Sequence, residues 1–266
     1  MAATSGSESL TVDEGRIDFR VDADGKLPNQ VYFFDRFTIL WSVSTDGGKT
    51  FKPMGPTVSP LYVLGAQPLA GAKLHETTVH ITTKAAGGLS DSAAIRDAIW
   101  DEFADNEVRK VNSQDVLQYY GGGTANTPPN RGDVGTLLSN GDGRCGHWAD
   151  FLVQAFATHG VAASFLDVTP PNGRAGFVVG ASSAQGTGAA DVSTTVFADH
   201  ALVTIGTRIY DPSYGRLVHE ASLSESIVAW ETAVVRFVDP IPGSDDGRLG
   251  DPLRPDRRDL EYNTRQ

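Results

Sequence analysis

Between Asn140 and Gly160 the chain carries one run of apolar residues at helical spacing, closed by glycine at both ends, and strands follow it. Asn140-Gly141-Asp142-Gly143 are turn residues. Cys145, Ala149, Leu152, Val153 and Phe156 then recur on one helical face. Gly160 suits the left-handed cap that stops such a helix. With Asp142 as N-cap, Cys145 falls in the first turn. Downstream, Val161 to Val168, Ala175 to Val179, Thr195 to Ile205 and Arg208 to Tyr210 read as strands. Gly206-Thr207 is a two-residue loop of the Gly-x kind, which predicts a tight antiparallel hairpin of type II′. A helix against an antiparallel sheet makes this an α+β chain.

Upstream the pattern is β-rich. Ile17 to Val21, Val31 to Phe34, Phe37 to Val43, Leu61 to Leu64 and Thr77 to Thr83 read as strands, separated by turn clusters at Asp22 to Gly25 and Pro53 to Pro60. Short strands at this spacing predict a small sandwich-like domain over residues 1–87. Inside it, Ser44-Thr45-Asp46-Gly47-Gly48-Lys49-Thr50-Phe51 resembles an Asp-box hairpin turn. A single copy with no blade-length repeat does not make a propeller. After Gly87-Gly88 the period becomes helical. Ser90 or Asp91 caps a run in which Ile95, Ala98, Ile99 and Phe103 share a face. Ser113 to Tyr120 reads as a short helix or turn, and Gly121 to Arg131 as a loop. The second domain spans residues 88–240. Residues 241–266 form a Pro/Asp/Arg-rich tail, its basic Arg254 to Arg258 offset by Asp251, Asp256 and Asp259.

The net charge of −11 argues against a nucleic-acid partner, because phosphates meet a repulsive mean field. No apolar run reaches the roughly 18 residues needed to cross a bilayer. Met1 to Leu10 lacks the basic and apolar regions of a signal peptide. Cys145 is the one cysteine, so neither an intramolecular disulfide nor a multi-cysteine zinc site can form.

A thiol in the first turn of a helix meets a positive end of the peptide dipole and free N–H groups, which favour thiolate and oxyanion alike. A lone buried cysteine is otherwise a small apolar residue. The distinction comes from what the hairpin places nearby. If Ile205 faces Arg208, then Leu202 faces Asp211, and His200 shares the face of Asp211 as its diagonal neighbour. The carboxylate then bonds one imidazole nitrogen and leaves the other for the thiol.

Three segments together resemble the transglutaminase-like superfamily. They are Gly143-Arg144-Cys145-Gly146-His147-Trp148-Ala149, Phe197-Ala198-Asp199-His200-Ala201-Leu202-Val203 and Ile209-Tyr210-Asp211-Pro212-Ser213. The first is similar to the nucleophile segment of peptide N-glycanases, without their paired-cysteine zinc motif. The resemblance covers about residues 90–215. It implies a papain-like fold, Cys145 as nucleophile, His200 as general base and acid, and Asp211 as the residue that orients it. It implies amide bonds of a protein or peptide as substrate; no acidic cluster resembles the calcium sites of animal transglutaminases, so no cofactor and no metal are expected. Hydrolysis is the expected outcome; crosslinking transamidation and a catalytically inactive binding or scaffold protein are the alternatives. Gln118, Tyr119 and Tyr120 are candidates for an oxyanion side chain.

The remaining histidines carry blander expectations. His75 and His80 face opposite sides of one strand. His147, in the first turn after Cys145, either lines the site or is an exposed helix residue, the second reading being preferred, and His219 is a surface residue. His159 is a charged partner for a helix C-terminus. Trp148 and Phe156 belong to the core.

Overall fold

The computed structural model of the chain describes residues 27, 29–111, 113–119, 132–170, 177–179, 183–186, 196–197, 199–238 and 260–265. The strand expected at Ile17 to Val21, the loop at Gly121 to Arg131 and the basic stretch Arg254 to Arg258 lie outside these residues.

The described chain is a mixture of helices and mainly antiparallel sheets. The principal sheet uses β5 (Ser164–Thr169), β8 (His200–Ile205), β9 (Arg208–Asp211), β10 (Arg216–His219) and β12 (Glu261–Arg265), in the order β10-β9-β8-β5-β12. A smaller sheet joins β6 (Phe177–Val179), β7 (Val196–Phe197) and β11 (Val235–Val238). The helix α4 (Cys145–Thr158) packs on β5 and β8. On its other sides lie α1 (Glu76–Ala85), α2 (Ser92–Ala104) and α3 (Val134–Asn140). The shared core includes Phe103, Trp148, Phe151, Phe156, Leu202 and Tyr210, all fully buried. Removing that much aromatic and aliphatic surface from water is the main stabilising term.

Local chemistry explains several boundaries. Asp91 caps α2 by accepting the Ala94 amide at 2.9 Å, and Ile95, Ile99 and Phe103 face the core. Gly160 ends the turn after α4 at φ +75°, and a Cβ there would lie 2.9 Å from the Ala66 Cβ. In the β8–β9 hairpin Ile205 faces Arg208, Gly206 has φ +61°, and Thr207 does not have positive φ, the signature of the type II′ loop the sequence predicts.

Residues before Gly88 depart from the expected sandwich. The described part forms one long hairpin of β1 (Tyr32–Val43) and β2 (Lys52–Val63), followed by a helix. Pro53 to Pro60 is strand, not turn. Prolines sit there because a two-stranded hairpin leaves every second amide of each strand without a partner. Thr77 to Thr83 is helix α1 rather than strand. Its β-branched residues suggest β structure, but Thr82 and Thr83 turn their hydroxyls back onto the Thr78 and Val79 carbonyls, and the face bearing Thr78, Ile81 and Thr82 is buried. His75 is therefore the residue preceding a helix and His80 lies within it. Packing is continuous across residue 88, since α1 rests on both α2 and α4.

Two further differences concern the second half. Ser113 to Tyr119 forms an isolated bridge, Arg109 to Val116, and the two-residue β3 (Gln118–Tyr119), which runs parallel to β4 (Asp142–Gly143). The segment Glu261–Arg265, expected in a solvated tail, is an edge strand paired with β5 from Glu261 opposite Thr169 to Arg265 opposite Phe165.

Candidate active site

Cys145 is the first residue of α4, and Arg144, extended at φ −84° and ψ 177°, is the cap. Asp142, expected in that role, lies two residues too early and belongs to β4. His147 supplies the local hydrogen bond instead, its Nδ1 accepting the Arg144 amide at 3.3 Å. That task draws the ring inward, so His147 is 4% exposed rather than on the surface. Gly143 makes room for it: a Cβ there would lie 2.9 Å from the His147 Cβ and 3.0 Å from Leu137 Cδ1. The amides of Cys145 and Gly146 open the helix and have no acceptor within it.

The helix is held in place by a polar clamp on its flank. Asp150 Oδ2 accepts the Val134 amide at 2.8 Å and lies 3.6 Å from Lys73 Nζ. Asp150 Oδ1 accepts Gln154 Nε2 at 3.2 Å, and Gln154 Oε1 accepts the Lys73 amide at 2.8 Å. Lys73 also pairs with Asp133 at 3.2 Å, the residue that caps α3. These bonds tie the connection into α1 and the start of α3 to the middle of α4.

His200 opens β8 and Asp211 closes β9, and the observed register makes them diagonal neighbours on one face. His200 Nε2 lies 3.0 Å from Asp211 Oδ2, and both side chains are wholly buried. With Nε2 so engaged, Nδ1 is the ring nitrogen left over, and the Cys145 sulfur lies near enough to the ring to favour its charged form. The Cys145 sulfur also approaches the Asp199 carbonyl at 4.0 Å. The structure thus gathers Cys145, His200 and Asp211 at one place.

Three residues complete the surroundings. Trp230 Nε1 donates to Asp211 Oδ2 at 3.2 Å. Tyr214 lies beside the imidazole, ring centroids 5.6 Å apart, and against Tyr119 at 5.5 Å. Of the oxyanion candidates, Tyr119 is buried near Cys145, Gln118 is exposed, and Tyr120 lies outside the described residues.

Burial opposes a charge on His200, but the Asp211 carboxylate and the Cys145 sulfur outweigh it and push the imidazole up to about 10. The ring therefore holds its proton across the neutral range. Burial, with Cys145 and Asp211 nearby, pushes the Tyr119 hydroxyl well up, and burial and Asp211 do the same to Tyr214. Both phenols are hydrogen-bond donors at neutral pH. His159 is the opposite case. Burial lowers it to about 4, and its Nδ1 accepts the Gly65 amide at 3.1 Å. It is a neutral core residue, not a charged partner of the helix end. Burial also lowers His147.

Sequence reasoning missed Trp230 and Tyr214. A signal for Trp230 exists. Ser222 and Glu225 have capping-box spacing, and Leu223, Ile227, Trp230 and Val234 follow at helical intervals. That helix is α5 (Leu223–Val234), with Ser222 Oγ accepting the Glu225 amide at 3.2 Å. Trp148 and Phe156 are fully buried and His219 is exposed, as their patterns predict. Among the described residues, no three His, Cys, Asp or Glu side chains are grouped to hold a metal ion, and no helix is long and apolar enough to cross a membrane.

No family model, curated protein or solved structure matches this chain.

Proposed function

We propose that this chain is a cysteine-nucleophile acyl-transfer enzyme of transglutaminase-like type, hydrolysing amide bonds in protein or peptide substrates. The observation that carries the reading is the buried 3.0 Å contact between His200 and Asp211, set beside a thiol at a helix N-terminus. On this reading α4 and the principal sheet are the helix-and-sheet core of a papain-like fold.

The chemistry follows from the geometry. The imidazole holds the proton taken from the thiol, so the nucleophile is the sulfur anion of an ion pair, and Asp211 supports the cation. The sulfur adds to the amide carbonyl carbon, and the carbonyl oxygen becomes an oxyanion. The Cys145 and Gly146 amides point from the helix start as donors for it, with the Tyr119 hydroxyl as a third. The carbon–nitrogen bond breaks, His200 gives its proton to the departing amine, and a thioester remains. Water then adds to the thioester while His200 accepts its proton. Collapse of the adduct expels the sulfur, and release of the carboxylic acid restores the starting ion pair.

The test has two arms. Iodoacetamide alkylation of Cys145 is followed from pH 5 to 9 in the wild type and in His200→Ala. A mixture of unstructured peptides is then incubated with the enzyme, with and without a primary amine, and read by mass spectrometry. Fast alkylation near pH 6 that disappears in His200→Ala, with new peptide termini, supports the proposal. Amine-dependent mass gain without cleavage identifies transamidation instead. Slow alkylation identical in both proteins, with no change in any peptide, leaves an inactive scaffold.

A further inference from the structure

Among the described residues no strand pairs with either outer edge of the β1–β2 hairpin, and the two edges are chemically different. Pro56 faces Leu40. Proline has no N–H, so this pair cannot be a hydrogen-bonded one, and the amides at that level point outward. Alternation then fixes the rest. On β2 the outward positions are Pro56, Val58 and Pro60. The register shift between Trp41 and Ser42, at Gly55 with φ +105°, brings Pro53 into the same row opposite Ser42. Three of these four positions lack a donor. The β2 edge is closed to strand addition.

The β1 edge is not closed. Its outward residues in register are Thr38, Leu40 and Ser42, each with both an N–H and a carbonyl to offer. All three are exposed, Leu40 at 79%. A two-stranded hairpin alone is marginal in water. This one also leaves Met54 at 70% and Phe51 at 58% exposure.

We infer that β1 is a dimerisation strand, pairing antiparallel with β1 of a second copy to form a four-stranded sheet β2-β1-β1-β2. Closure selects a second copy over other strands. A two-fold axis through the unguarded edge leaves only proline-guarded edges outside, so assembly stops at two. The row is self-compatible. An axis at Ile39 sets Thr38 opposite Leu40, and no charge stands among Thr38, Leu40 and Ser42. A peptide substrate is the weaker occupant. The hairpin leaves the body near His159, beyond the far end of α4 from Cys145, about 20 Å along the helix.

The experiment compares the wild type, Thr38→Pro and Val58→Pro by sedimentation equilibrium across the micromolar range. It adds amide hydrogen exchange on the wild type. Wild type and Val58→Pro sedimenting at twice the chain mass, Thr38→Pro at once, and slow exchange at Thr38, Leu40 and Ser42 but not Val58 are the expected results. A monomeric wild type, a Thr38→Pro protein that still dimerises, or outward β1 amides exchanging as fast as Val58 would each overturn the proposal. The exchange measurement decides the matter if Thr38→Pro does not fold.

Discussion

Trp230 covers His200 like a lid on a box: the two rings stack with centroids 5.8 Å apart and planes within 13° of parallel. The same indole donates its N–H to the Asp211 oxygen that meets the imidazole. One residue therefore excludes water from the His–Asp contact and satisfies part of the carboxylate. Trp230→Phe keeps an aromatic ring over His200 and removes the donor. A hydrogen bond to a charged group contributes about 1.5–3 kcal/mol. The expected outcome is a tenfold or greater fall in the rate of Cys145 alkylation at neutral pH, with the far-ultraviolet circular dichroism unchanged. An unaltered rate would remove Trp230 from the positioning of His200.

The raised pKa of His200 gives stability a sign on the alkaline side. Folding raises the imidazole from its ordinary 6.5 to about 10. The contribution of its charged form is therefore complete below about pH 6.5 and is lost as pH climbs through about 10. Melting temperature should fall between pH 7 and 10 in the wild type. In His200→Gln, which cannot titrate, that part of the fall should be missing. Parallel melting curves for the two proteins would contradict the assignment.

His159 gives the opposite sign on the acid side. Its pKa is about 4 in the fold and 6.5 unfolded, so its stabilisation is present above 6.5 and disappears as pH falls through 4. The window corresponds to about 3 kcal/mol at most. His159→Asn keeps an acceptor for the Gly65 amide and removes the titration. Urea midpoints measured between pH 7 and 4 should fall less steeply in the variant.

Gly143→Ala probes the packing beneath the nucleophile. The added methyl would crowd His147 and Leu137 at 2.9 and 3.0 Å, and His147 holds the Arg144 amide at the helix start. Overpacking of this kind costs about 1–3 kcal/mol. Both the denaturant midpoint and the alkylation rate should drop. Loss of stability with an unchanged rate would show that the helix start tolerates displacement.

The site was legible where a local rule fixed a long-range relation. A Gly-x loop sets a hairpin's register, and the register sets which side chains share a face, so His200 and Asp211 could be paired from the sequence. The helix of Cys145 was legible from its period and its terminating Gly160. What failed was decided by tertiary partners. Thr77 to Thr83 has β-branched residues that suit a strand, yet the segment is helical because one face packs on α2 and α4. His147 has the polarity of a surface residue, yet its ring turns inward to bond a backbone amide. Trp230 lies 19 residues beyond Asp211 on another element, and no spacing rule links a helix to the strand it covers.

The edge strand β12 sets an order on biosynthesis. Glu261 meets Thr169 at a sequence separation of 92, so β5 emerges long before the strand that borders it. Until residues 261–265 have been translated, the rim of the sheet bearing His200 is bare. Pairings this distant in sequence form slowly, because a long loop must close first. The nascent chain therefore passes through a stage in which its nucleophile helix is already made and its sheet still has an unclaimed side, the interval in which a chaperone would be most needed.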